Sequence, residues 1–122
     1  MLSPYKGKTG LRRLINAFGY SICGLRAAYR LEDAFRQEVL LAAVLIPAAL
    51  ILPVAATARA LLLASVFVVL IVELLNSAIE ATVDRISLDN HELAKVAKDI
   101  GSAAVMLSLA CMTVVWIVVL TG

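Results

Sequence analysis

An all-α integral membrane protein is the fold class the sequence predicts: an N-terminal amphipathic interfacial helix followed by three membrane-crossing helices. Two observations lead there. Of the 122 residues, 62% are hydrophobic and only 16% are charged, which leaves too little polar side chain to cover a water-soluble domain. The apolar residues also gather into three stretches, residues 37 to 57, 59 to 81 and 100 to 121, each close to the ~20 residues a helix needs to cross a bilayer. So little chain lies outside them that residues 1 to 122 read as a single membrane domain.

The first element is expected over residues 10 to 30. Leu11, Leu14, Ile15, Phe18, Ile22, Leu25 and Tyr29 recur at helical spacing, with Arg12, Arg13, Asn16, Arg26 and Arg30 on the other side. Such a basic amphipathic helix suits the bilayer interface, apolar face down and arginines among the lipid phosphates. Gly19 and Gly24 interrupt it, each at a cost of about 1 kcal/mol relative to Ala, so a bend or the close approach of another group is expected there. "RLEDAFRQE" (30 to 38) is a polar hinge into the first span. Pro47 is expected to kink that span, and Pro53 to help end it before a short outer loop.

Basic residues set the orientation. Lys6, Lys8, Arg12, Arg13, Arg26, Arg30 and Arg36 precede the first span, Arg59 alone follows it, Arg85, Lys95 and Lys98 flank the next loop, and the end of the chain has none. Cytoplasmic segments collect Lys and Arg, so the N-terminus and the 82 to 99 loop are expected in the cytoplasm and the C-terminus outside. No cleavable signal peptide is expected, because the first dozen residues lack an apolar core. Cys23 and Cys111 are expected to be unpaired packing residues. No nucleic-acid partner is expected.

The second span is unlike the others. After the uncharged run from Ala60 to Val72 it carries Glu73, Asn76, Glu80 and Asp84, which fall within about 80° of one another on a helix of 3.6 residues per turn and extend for about 16 Å along it. A carboxylate at depth costs ~2.5 kcal/mol or more, so this face must be covered by protein or ligand. Interhelical hydrogen bonding explains one Asn, but not three acids with no basic partner on the same face. Crowded carboxylates near the cytoplasmic surface suit a divalent cation, and Mg²⁺ is commonly held by one or two carboxylates plus nucleotide phosphates. Glu80 has the right depth, and Glu32 in the hinge offers a second carboxylate. Lys95, Lys98, Asp99 and Ser102 lie at i, i+3, i+4 and i+7 across the same layer, where lysines can meet anionic phosphates.

Other signals fail. "GKTG" (7 to 10) has Leu2 where a phosphate-binding loop needs Gly, and no strand before it. The protein-kinase motifs are missing, and "HELAK" around the single histidine, His91, does not make a zinc-protease motif.

"GYSICGLRAA" (19 to 28), "AFRQE" (34 to 38), "ELLNSAIEATVDR" (73 to 85) and "AKDIGSAAV" (97 to 105) resemble the small bacterial integral-membrane diacylglycerol kinase family over essentially residues 12 to 122. The resemblance implies a homotrimer with active sites shared between subunits in the bacterial cytoplasmic (inner) membrane. It implies transfer of the γ-phosphate of MgATP to the primary hydroxyl of diacylglycerol, giving phosphatidic acid among the membrane lipids. Glu73 would then be the catalytic base, and Glu32 and Glu80 the carboxylates holding Mg²⁺ on ATP. Arg13, Tyr20, Glu32, Asn76, Glu80, Asp89, Asn90, His91, Lys98 and Asp99 would face the nucleotide. Arg13, Ala34, Phe35, Arg36, Gln37, Glu38, Arg59, Glu73 and Ser102 would face the lipid substrate. The chain departs from the family pattern at Ser87 and Asp89, where Gly and Glu are expected. Trp116 reads as an interfacial anchor. Two other readings are an undecaprenol kinase of the same family and a non-enzymatic helix-bundle protein whose acids pair with a partner.

Overall fold

The computed structural model describes residues 10–86 and 91–122. Four helices follow in chain order: α1 (Gly10–Leu31), α2 (Asp33–Ile51), α3 (Ala56–Ile86) and α4 (Glu92–Thr121). The last three are long and apolar enough to cross a membrane, and the described residues contain no strand. The protein is an all-α membrane protein.

Amphipathic α1 buries none of its residues in the chain, and Leu11, Leu14 and Phe18 are exposed. That is the exposure required of a helix whose apolar face is solvated by lipid. Its path runs unbroken through Gly19 and Gly24, and a Cβ at either position would meet no atom within 4 Å. The space over these glycines is open on the side of this chain.

One residue separates α1 from α2. Glu32 is extended (φ −117°, ψ 110°), and Arg36 fastens the elbow. Its Nη1 donates to the carbonyls of Tyr29 (2.7 Å) and Arg30 (2.8 Å) at the end of α1, and its Nη2 pairs with Asp33. The last carbonyls of α1, which have no partner within the helix, are thereby satisfied by a charged donor.

α2 runs through Pro47 and ends at Ile51, two residues before Pro53; the residue preceding a proline is disfavoured in the helical conformation. Arg59 closes the turn, its Nη1 reaching the carbonyls of Ala49 (2.6 Å) and Leu50 (2.7 Å) and its Nη2 that of Val54 (3.3 Å). α3 and α4 form the closest helix pair, and α2 leans on α3.

Where these helices meet, Ala42, Val66, Val69 and Met112 form a core, with Leu45, Ile46, Leu70, Leu109 and Trp116 packed against it. Lipid tails are as apolar as these side chains, so close packing rather than exclusion of water holds the bundle. Small residues make that packing possible: Ala49 is fully buried, and Ser65, Gly101 and Ser108 are buried at helix contacts. The two serines return their hydroxyls to their own helices, Ser65 to Leu62 (2.8 Å) and Ser108 to Val105 (2.7 Å).

Trp116 is partly buried and packs against the core, with its indole Nε1 buried and without a hydrogen-bond partner. One expectation changes here. Cys23 and Cys111 are free, but both are exposed and pack into no core of this chain.

Candidate active site

The acidic row of α3 divides by depth. Glu73 is 4% exposed and Asn76 8% exposed, Glu80 is half-buried and Asp84 exposed. Helical periodicity puts all four on one face, and packing of α2 and α4 against that face buries its inner half.

Glu32 at the elbow and Glu80 one turn beyond Asn76 both lie close enough to act electrostatically on Glu73, and Glu38 of α2 feels the charge of Glu73 in turn. Carboxylates of the elbow, α2 and α3 thus lie within electrostatic reach of Glu73. Several polar atoms there are buried without a hydrogen-bond partner: Glu38 Oε2, Glu73 Oε2, Asn76 Oδ1 and Ser77 Oγ. Buried polar atoms nearly always find partners, so these atoms are open to polar groups from outside the described residues.

Beside the cluster lies an open groove of about 530 Å³, lined by Ser21, Gly24 and Ala28 of α1, Glu32, and Ser77 and Ala81 of α3. A second groove of about 460 Å³, almost wholly apolar, lies among Leu25, Tyr29, Phe35, Val39 and Leu70, with Arg26 at its edge. A groove that carries Ser21, Glu32 and Ser77 in a mainly apolar lining and a second, almost wholly apolar groove therefore share the elbow.

At the Asp84 end of the row, Lys98 Nζ pairs with Asp84 Oδ1 at 2.6 Å, bringing α4 to the end of α3, and Lys95 Nζ pairs with Asp99 Oδ2 at 2.7 Å. Asp99 and Ser102 are exposed. His91 caps α4, its Nδ1 accepting the Leu93 N–H at 3.0 Å, so this residue starts a helix whatever else it touches.

The remaining candidates are dispersed. Arg13 and Tyr20 are exposed on α1, Ala34 and Gln37 are exposed on α2, and Phe35 is buried under the apolar groove. Arg36 is occupied by backbone carbonyls at the end of α1 and Arg59 by those at the end of α2. Asp89 and Asn90 lie outside the described residues.

No group of three or more His, Cys, Asp or Glu side chains among the described residues is close enough to hold a metal ion unaided. One or two carboxylates are the complement Mg²⁺ takes when phosphate oxygens complete its shell, so Glu32 and Glu80 fit an ion that arrives with a nucleotide. Ser77 and Ser21 were not anticipated as groove residues. Both sit in apolar or mixed helical stretches where a serine reads as filler.

Comparison with known proteins decides the family. The sequence model of prokaryotic diacylglycerol kinases matches residues 19–120. The chain belongs to that family. A diacylglycerol kinase of Pseudomonas aeruginosa is 58% identical over 120 residues, 98% of each chain. That of Escherichia coli K12 is 53% identical over 115 residues, 92% of each, and that of Haemophilus influenzae 46% over 108 residues, 88% of this chain and 92% of the relative. The resemblance drawn from the four motif stretches therefore holds, and the prokaryotic diacylglycerol kinase family is a family of membrane enzymes that act as kinases on an alcohol group.

Proposed function

We propose that this chain catalyses ATP-dependent phosphorylation of diacylglycerol at the cytoplasmic face of the inner membrane, giving phosphatidic acid. The observation that carries the reading is the buried Glu73 carboxylate, one oxygen unpartnered, in reach of the fields of Glu32 and Glu80 and beside a groove open at the elbow. The relatives' shared name, diacylglycerol kinase, supplies the two substrates.

Glu73 accepts the proton of the lipid's primary hydroxyl. The hydroxyl oxygen bonds to the γ-phosphorus as the bond from that phosphorus to the β–γ bridging oxygen breaks, and ADP departs with the electron pair. Such a transfer asks mainly for positioning and charge neutralisation. Glu32 and Glu80 would hold Mg²⁺, which neutralises charge on the nucleotide phosphates. Asn76 and Ser77 offer uncommitted polar atoms next to the base, and Lys98 leaves Asp84 for a phosphate oxygen. Phe35 and its apolar groove accept an acyl chain, while Glu38 faces the lipid head from α2. The open groove and the many exposed apolar side chains of α2 to α4 suit a homotrimer in which a neighbouring subunit closes the site.

Purified protein in lipid micelles with labelled ATP and Mg²⁺ tests the reading. Phosphatidic acid is the expected product, and Glu73→Gln is expected to lose about 10² to 10⁴ in rate, the usual contribution of a positioned base. Full activity in Glu73→Gln overturns the assignment. Exclusive phosphorylation of undecaprenol, when both alcohols are supplied, overturns the choice of acceptor.

A further inference from the structure

The Asn76 side chain lies against bare backbone. Asn76 is 8% exposed, and its Oδ1 is buried without a hydrogen-bond partner. Gly101 of α4, also buried, faces it. A Cβ built on Gly101 would overlap Asn76 Oδ1 and lie 3.2 Å from its Cγ. At Gly19 and Gly24, by contrast, a Cβ meets nothing within 4 Å. Only at position 101, among these helical glycines, does the missing side chain make room for a neighbour.

This contact sits within the candidate site. On α3, Asn76 is about one helical turn from both Glu73 and Glu80; on α4, Gly101 follows Lys98 by three residues, so that Lys98 and Gly101 share a face. Any side chain at 101 must either turn the Asn76 amide out of its place or hold α4 away from α3. The first moves an uncommitted polar atom next to Glu73, and the second moves Lys98 relative to the carboxylates. Glycine is the poorer residue inside a helix, so its presence here needs a reason.

We infer that Gly101 is a positioning residue for phosphoryl transfer, acting through Asn76: its bare Cα seats the Asn76 amide and fixes the spacing between the acidic row of α3 and Lys98. The inference rests on the proposed function.

The test is a cycle of Gly101→Ala, Asn76→Ala and the double variant, with Gly19→Ala as control. For each, kcat, KM for ATP and for diacylglycerol, the unfolding midpoint in micelles, and binding of a non-hydrolysable ATP analogue are measured. Gly101→Ala is expected to lose about 10² in kcat/KM for ATP, the size of effect that about 1 Å of misplacement produces, and to bind the analogue more weakly. Its KM for diacylglycerol stays within about twofold, because the apolar groove is untouched. The double variant is expected to be no worse than Asn76→Ala alone, because the overlap needs both side chains; Gly19→Ala matches the parent. Parental kinetics in Gly101→Ala, or losses in the double variant that multiply those of the two single ones, overturn the inference. Should Gly101→Ala fail to fold, the double variant carries the comparison, and its failure to fold also overturns the inference by making Gly101 a general packing residue. If the parent protein makes no phosphatidic acid, the proposed function falls, and analogue binding across the cycle still reads the seat.

Discussion

Glu32 and Glu80 lie within electrostatic reach of Glu73 because the fold brings the elbow against α3. Glu73 is buried while its two acidic neighbours are half-buried, which separates a deep carboxylate suited to a proton from outer ones suited to a cation. Glu80→Gln and Glu32→Gln are therefore expected to raise the Mg²⁺ concentration for half-maximal activity by about tenfold or more, the equivalent of about 1.4 kcal/mol, with the KM for diacylglycerol little changed. Titration of activity with Mg²⁺ at saturating ATP checks this, and an unchanged requirement in both variants removes them as ligands. The acidic row itself was legible in the sequence, because a charged stripe in an apolar helix has few inexpensive explanations. Glu38 was expected to face the lipid through its place in "AFRQE", but its approach to Glu73 was not, because it depends on how α2 lies against α3.

Arg36 and Arg59 show how single side chains set the ends of an element. Each satisfies carbonyls that a helix end leaves without intrahelical partners, Arg36 at the end of α1 and Arg59 at the end of α2. Removing a charged donor from such carbonyls costs about 1.5 to 3 kcal/mol. Arg59→Ala is expected to lower the unfolding midpoint in micelles while leaving the KM values of the folded fraction within about twofold, and Arg59→Lys to recover only part of the loss, since an ammonium lacks the planar fork. A raised KM for diacylglycerol with no change in stability would instead place Arg59 at the lipid. Arg36→Ala is expected to lower both stability and kcat/KM for ATP, by about tenfold for the latter, because the elbow it fastens carries Glu32. Thermal unfolding and steady-state kinetics on the same preparation separate the two residues. Both arginines look like flanking charge in the sequence; their carbonyl partners are set by turns whose geometry no periodicity reveals.

At the scale of the molecule, three long apolar helices pack on one another over a small core and leave most of their surface outward. Lipid suits much of that surface, and in the proposed trimer a neighbouring subunit would cover the groove that lies open beside unpartnered polar atoms. In mild detergent the protein is expected to have three times the chain's protein mass of 13.0 kDa by native mass spectrometry. A fully active monomer would sink the shared-site arrangement. Mixed assemblies give a second measure. Chains carrying Glu73→Gln, combined in excess with parental chains, are expected to lower activity in proportion to the parental bases lost, because each site uses one base.

By itself the sequence determined the class of the protein and the four helices, since apolar length and helical periodicity are local properties that the bilayer reads directly. It also determined which helix carries the acids, and its motif stretches placed it in its family. The tertiary structure decided what no spacing contains: that Glu38 of α2 lies within reach of Glu73 of α3, that Arg36 is held by the end of α1 and Arg59 by the end of α2, that Trp116 packs against the core, and that Gly101 leaves room for Asn76. These are distances between helices, fixed by the packing of small side chains far apart in the chain, and the chemistry of the site depends on them.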